Sequence, residues 1–351
     1  MISYQVIEHG RPLQKVMHET PRPEGTEVLV RITRSGVCHS DLHIWDGYFD
    51  LGGGKRFYVK DRGCVPPFTL GHEPFGVVEA IGKKAKGVKV GQKRIVFPWI
   101  GCGKCAMCKA ELDNLCTAAM RTVGVLKPGA YSTHLLVPHP KYLVDATGVD
   151  ESFAATLACS GVTAYSAVCK LPALSARDSV AVIGCGGVGL ATISVLRAKG
   201  VRNVIACDVD ETKLAAAKNY GAKLTLDTRA PDAVQKLQAL AVGSLAAVID
   251  LVGMPSTAAL GLGALRKGGR YVICGLFGGE LVQPLPSFPL RALSIAGSYV
   301  GNLRELKEVV ALAKKKKLKP MPVATRPAAD VNAIMEDLKA GKVLGRVVLA
   351  F

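Results

Sequence analysis

Apolar and polar positions change their rhythm once along the chain. Up to about residue 150, short apolar runs alternate with polar positions and are broken by Gly and Pro. Glu27 to Thr33, Phe75 to Ile81, Gln92 to Phe97 and Tyr131 to Val137 have the two-residue period of half-buried strands. This half is expected to be β-rich and without long helices. From about residue 151, continuous apolar runs of four to six residues alternate with longer segments of helical period. Val180 to Ile183, Val204 to Cys207, Ala246 to Leu251 and Tyr271 to Cys274 read as buried strands. Val188 to Lys199 and Lys213 to Tyr220 read as helices between them. Strand and helix in strict alternation predict a doubly wound parallel sheet covered on both faces. Beyond it, Leu303, Leu306, Val309, Val310 and Ala313 trace one face of a further helix, which ends in the basic run Lys314 to Lys317.

At 351 residues the chain is long enough for two domains. Hydrophobic residues at 49% and charged residues at 21% exclude a disordered or collagenous chain. Two uncharged stretches, Ser152 to Cys169 and Ser179 to Leu196, approach membrane-span length. Gly, Ser and Thr interrupt both, so they are expected to be buried core, with no membrane partner. The opening segment MISYQVIEHG has no apolar signal core. A cytoplasmic, reducing setting is expected, where grouped cysteines serve metals or redox chemistry rather than disulfides. Lys and Arg outnumber Asp and Glu by 45 to 28, a formal charge of +17. That charge suits solubility and the attraction of anionic nucleotides. A nucleic-acid partner is not expected, and the lysine run reads as a solvated helix end.

Three motifs carry candidate chemistry. Gly184, Gly186 and Gly189 form G-x-G-x-x-G directly after an apolar strand, and Gly187 and Val188 open the helix that follows. In that context the glycines permit a tight turn, close approach of a pyrophosphate, and packing of helix on strand. The helix N-terminus offers its unpaired N–H groups to the phosphates. Asp208 ends the next strand, 24 positions after Gly184. A carboxylate there accepts ribose hydroxyls and repels a 2′-phosphate, which favours NAD over NADP. Asp210 adds to the repulsion, and Lys213 is within reach of the same ribose. The alternative role for Asp208 is a helix N-cap.

The second motif is Cys102, Cys105, Cys108 and Cys116, separated by two, two and seven residues. Four thiolates at that spacing suit a tetrahedral zinc with no open position, a structural staple in the lobe from about 99 to 117. The third is dispersed over GVCHSDLH, GHEPFG and LACSGVTAY. Cys38, His72 and Cys159 could supply two thiolates and a neutral imidazole to a zinc with one open position. Spacing alone favours ordinary buried cysteines and core histidines over this reading.

The pieces GVCHSDLH, GHEPFG, the four-cysteine lobe, LACSGVTAY, VIGCGGVG and GKVLGRVVL occur in that order from residue 36 to 349. Together they resemble the zinc-dependent medium-chain alcohol dehydrogenase family. The resemblance implies a GroES-like β-rich catalytic domain, residues 1–150 and 298–351, and a Rossmann domain, 151–297. It implies two zinc ions per chain, NAD, and reversible oxidation of an alcohol to an aldehyde or ketone by alkoxide formation on zinc and hydride transfer. By the same likeness Cys38, His72 and Cys159 bind the catalytic zinc, and Glu73 approaches it during ligand exchange. Asp41 orients the zinc-bound imidazole. Ser40 takes the alcohol's proton and His43 relays it to solvent. His39 and Arg346 contact the coenzyme pyrophosphate. A homotetramer, or alternatively a homodimer, is expected.

The chain departs from the pattern in one place. Cys38 and His72 lie 34 positions apart, a longer spacing than is usual, and the extra residues fall between Asp46 and Phe68. That stretch carries Tyr48, Phe49, Phe57 and Tyr58 together with Lys55, Arg56, Lys60 and Arg62. It reads either as a wall of the alcohol pocket, favouring bulky, aromatic or acid-bearing substrates, or as a surface loop or subunit contact. Trp99 reads equally as a pocket aromatic or a core tryptophan. Polyol and threonine dehydrogenases share the architecture but commonly place a carboxylate where this chain has Cys159. Zinc-free quinone reductases lack both ligand sets. A zinc-ribbon nucleic-acid binder would leave the glycine fingerprint unexplained.

Overall fold

A computed structural model describes all 351 residues. Its larger β unit is a seven-stranded sheet in the order Leu143–Asp145, Lys93–Val96, Glu73–Ile81, Val28–Val37, Arg346–Ala350 and Val323–Pro327, with His134–Val137 also paired to Val28–Val37. Val28–Val37 lies at its centre because its neighbours come from both ends of the chain, so the polypeptide leaves this sheet and returns to it. The expected strand from Tyr131 is shortened to His134–Val137. Tyr131 instead bonds back to Leu70 through its amide and turns its hydroxyl inward.

The second unit is a six-stranded parallel sheet in the order Leu224–Asp227, Asn203–Asp208, Asp178–Ile183, Ser244–Asp250, Arg270–Ile273 and Ser294–Gly297. Asp178–Ile183 is buried along its whole length, and its last four residues, Val180 to Ile183, are the unbroken apolar run expected of a strand covered on both faces. The strand order reverses beside it, between Asn203–Asp208 and Ser244–Asp250. The crevice beyond the strand C-termini at such a switch point is where this topology takes ligands.

One helical segment, Glu151–Cys169, joins the units. Its window of near-membrane length is 89% buried within the protein. Glu151–Thr156 packs on the seven-stranded sheet, and Val162–Cys169 packs on Gly187–Ala198 of the parallel unit. Between them Leu157–Gly161 forms a π-helical turn. Such a turn displaces one residue from the regular ladder and often marks a functional position. Here it contains Cys159. The main apolar core runs through this helix from one sheet into the other.

The helix Leu303–Lys314 follows the predicted face, with Leu306, Val309 and Val310 buried and Lys315 to Lys317 exposed beyond its end. The stretch from Asp46 to Phe68 is more ordered than a plain loop. Tyr48–Gly52 and Lys55–Tyr58 pair as an antiparallel hairpin, followed by the 3₁₀ turn Val59–Arg62.

Candidate active site

Strand Val28–Val37 ends at Cys38, and the helix His39–Asp46 begins at once. Asp41 sits in its first turn, fully buried, and accepts the Cys38 backbone N–H at 2.9 Å. The same carboxylate contacts His72 Nδ1 at 3.0 Å and accepts the Tyr131 hydroxyl at 3.0 Å. Three bonds hold it where an isolated charge would be costly. His72 precedes the neighbouring strand Glu73–Ile81, and the π turn brings in Cys159. One donor atom each from Cys38, His72, Glu73 and Cys159 lies within 4.8 Å of all the others, and all four residues are buried.

The electrostatics are those of a donor set in need of a cation. A hydrogen bond from Cys159 holds the Cys38 thiol well below its ordinary range, helped by Arg346 and His72. Burial would lower the His72 pKa, but Asp41 and Cys38 outweigh it and raise it. Burial pushes Glu73 up to about 7 against the opposing Arg346 charge. Glu73 Oε1 accepts from Arg346 Nη2 at 2.6 Å, while Glu73 Oε2 and His72 Nε2 are buried without partners. Two thiols, an imidazole nitrogen and a carboxylate oxygen, converging with orphaned lone pairs, fit zinc.

The lobe cysteines also converge within 4.8 Å. Sγ–Sγ distances are 3.6 Å for Cys105–Cys108, 3.8 Å for Cys105–Cys116 and 4.0 Å for Cys102–Cys108. Four sulfurs each about 2.3 Å from one zinc would stand roughly 3.8 Å apart. Backbone N–H groups of Lys104 and Cys105 point at Cys102 Sγ at 3.3 Å, and that of Cys102 points at Cys116 Sγ at 3.3 Å.

A cleft of about 1060 Å³ separates the two units. Cys38, His39, Ser40, His43 and Cys159 line one side. Gly184, Gly186, Gly187, Val188, Gly189, Asp208 and Lys213 line the other, and Arg346 lies between. Gly184 has φ +90°, open to glycine at little cost, and a Cβ at Gly189 would collide with the Gly184 carbonyl. Asp208 accepts the backbone N–H of Cys185 at 2.6 Å and that of Asp210 at 3.0 Å. The helix N-cap is Asp210, which accepts from Thr212 and Lys213, so Asp208 is not spent on capping. Lys213 lies 4.0 Å from the Asp210 carboxylate. His43 stacks on Phe49 with ring centres 4.7 Å apart. Trp99 is both buried and cleft-lining. Its Nε1 donates to the Ala158 carbonyl at 3.1 Å, and its ring lies 5.4 Å from that of His72.

Sequence reasoning missed Tyr131 as a partner of Asp41, and it missed the Glu73–Arg346 pair. The first is 90 residues from its partner and the second spans 273. No local pattern marks either. The hairpin did leave a signal, since Gly52, Gly53 and Gly54 between aromatic-rich segments are turn residues.

A buried metal-ligand cluster facing a glycine fingerprint across an interdomain cleft is the layout of a nicotinamide-dependent metallo-dehydrogenase. Comparison with known proteins narrows the class. The profile of the alcohol dehydrogenase GroES-like domain matches residues 24–147, and that of the zinc-binding dehydrogenase matches 187–315. The chain is 37% identical to an NAD-dependent alcohol dehydrogenase of Sulfurisphaera tokodaii, over 99% of each chain. Among solved structures, the alcohol dehydrogenase of Aeropyrum pernix superposes with a TM-score of 0.89 at 31% identity, covering 100% of both chains. Acetophenone reductase of Geotrichum candidum, solved with NAD, gives 0.87 at 30% identity, with 100% of this chain and 97% of that one covered. The chain belongs to the zinc-dependent medium-chain alcohol dehydrogenase family.

Proposed function

We propose that this protein oxidises an alcohol reversibly to an aldehyde or ketone, with NAD taking the hydride. The observation that carries the reading is the single cleft in which Cys38 and Cys159 face Gly184–Gly189 and Asp208. Cys38, His72 and Cys159 would hold a catalytic zinc, and the four lobe cysteines a second, structural one. A zinc held at the first site would supply the Lewis acidity that lowers the pKa of an alcohol hydroxyl. Asp41 fixes the His72 tautomer and leaves Nε2 free for the metal. Glu73, with one oxygen on Arg346 and one free, would be able to offer a fourth donor. Ser40 accepts the alcohol's proton and His43 moves it toward solvent. His39 and Arg346 bind the pyrophosphate together with the amides at Gly187 and Val188, and Asp208 binds the ribose and excludes a 2′-phosphate.

The chain divides on this reading into a catalytic domain, 1–150 with 298–351, and an NAD domain, 151–297, in line with sheet membership. It acts in the cytoplasm as a homo-oligomer, a tetramer or else a dimer. Support for self-association comes from the edge strand Ser294–Gly297 and the nearby side chains of Val282, Leu285 and Leu290, which are 85%, 80% and 73% exposed.

NADH formation from NAD with primary, secondary, aromatic and ω-hydroxy alcohols tests the activity, and elemental analysis should find about two zinc per chain. No NAD reduction with any alcohol would overturn the reading. One zinc per chain would remove one of the two metal assignments.

A further inference from the structure

The hairpin Tyr48–Tyr58 and the turn Val59–Arg62 wall a second cavity of about 740 Å³, contiguous with the cleft through Phe49, Asn114, Leu115, Val125, Met254 and Tyr299. The hairpin reaches the NAD-binding unit. A Cβ at Gly52 would strike the Gly279 backbone, one at Gly278 would strike the Asp50 carbonyl, and Lys55 lies 3.9 Å from Glu280. The outer wall of this open cavity therefore includes residues that the longer Asp46–Phe68 segment brings in.

Its walls are mostly apolar, with Leu51, Phe57, Val59, Met120, Leu126 and Tyr299 among them. From the ligand cluster outward, the Trp99 ring lies 5.4 Å from His72 and the Tyr299 ring 5.9 Å from Trp99. Arg62 stands farther out, its guanidinium 5.3 Å from the centre of the Phe57 ring and near enough to Tyr299 for its charge to act on the phenol.

The charged neighbours of this cavity differ in how they are satisfied. Asp250 accepts the hydroxyls of Tyr271 and Thr257 and the amides of Val252 and Gly253. Glu280 faces Lys55. Asp50 accepts the Gly52 N–H at 2.7 Å and lies opposite Arg56 across the hairpin. Arg62 is exposed at the rim of the cavity, its guanidinium lies beside the Phe57 ring, and it makes no salt bridge or side-chain hydrogen bond within the chain. A guanidinium at the far end of an apolar channel suits a planar monoanion, which it can grip with two parallel N–H bonds.

We propose that Arg62 anchors a substrate carboxylate, so that the enzyme acts on alcohols bearing a carboxylate at the end of an apolar alkyl or aryl spacer. The inference rests on the function proposed above and adds the substrate class. The hydroxyl end lies at the ligand cluster, the spacer passes Trp99 and Tyr299, and the carboxylate meets Arg62.

Matched pairs test it: ω-hydroxyhexanoate against hexan-1-ol, and para-(hydroxymethyl)benzoate against benzyl alcohol. The wild-type enzyme should favour the acid of each pair in kcat/KM, and added salt should erode that preference. Arg62→Gln should lower the acid-to-neutral ratio about tenfold, mainly through KM, and Arg62→Asp should invert it. Arg62→Lys should restore part of it. Calorimetry with hexanoate gives a readout apart from turnover, and its Kd should rise about tenfold in Arg62→Gln. Brisk oxidation of neutral alcohols with an acid-to-neutral ratio that Arg62→Gln leaves unchanged would overturn the anchor and leave the dehydrogenase standing. Failure to oxidise any alcohol would overturn both.

Discussion

The two cysteine-bearing clusters differ in how the chain assembles them. The lobe draws four sulfurs from fifteen consecutive residues, Cys102 to Cys116, and the bonds that aim them come from nearby backbone amides. The cleft cluster draws its donors from three distant segments, and its supports are side chains: Asp41, Tyr131 and Arg346. Backbone support is rigid and local, which suits a closed four-sulfur staple. Side-chain support places compensating charge around a site that must keep one position open. If this contrast reflects two functions, lesions in the two clusters should separate activity from stability.

Cys38→Ser is expected to have the largest effect. Turnover should fall by about 10³-fold or more, since loss of Lewis-acid stabilisation is worth several kcal/mol and each 1.36 kcal/mol is tenfold. The melting temperature should move little, and one zinc should remain. Full activity in this variant would mean that the cleft donors are misassigned.

Cys108→Ser should show the opposite split. Three sulfurs no longer close the lobe, so its zinc is lost and about 3 kcal/mol of stability with it, lowering Tm by about 5–10 °C. At 25 °C kcat should stay within about fivefold of the wild type, because the cleft donors are untouched. Equal loss of activity in both variants, with Tm unchanged, would erase the distinction.

The same contrast explains what could be read from the sequence. The lobe was legible because short spacing is itself geometry: chain connectivity leaves few ways to place Cys102, Cys105 and Cys108 except around a common point. The parallel sheet was legible because burial on both faces forces unbroken apolar runs such as Val180 to Ile183. For Cys38, His72 and Cys159, spacing carried no geometry, and only the resemblance to a family singled them out. The supports were less visible still. Tyr131 lies in a segment whose alternation reads as plain strand, and what turns its hydroxyl toward Asp41 is the departure from that strand. Arg346 opens the last strand and meets Glu73 only because the chain returns to its first sheet.

Asp41→Asn probes the support of the cleft cluster. An amide keeps the shape but loses the charge that sustains the His72 imidazole and one of its two acceptor oxygens. Zinc affinity at that site should drop about 10–100-fold in chelator competition, while the lobe zinc resists removal as in the wild type. Equal release from both sites would show that the carboxylate has no special tie to the cleft.

Tyr131→Phe should have the smallest effect, and it discriminates best. The ring is fully buried and stays packed, so the change removes one hydroxyl from Asp41 and leaves the contacts with His72 and the Cys38 N–H. One lost hydrogen bond to a buried carboxylate costs about 1–2 kcal/mol, or roughly five- to thirtyfold in zinc affinity where the bond serves only the metal-bound state. Part of that cost falls on the metal-free fold as well, so the measured loss should lie at or below the lower figure. In the Asp41→Asn background the same change should have almost no further effect, because its partner charge is already gone. A simple sum of the two effects would mean that the Tyr131 hydroxyl acts independently of the Asp41 charge, and that the carboxylate is not the centre through which the cleft cluster is held.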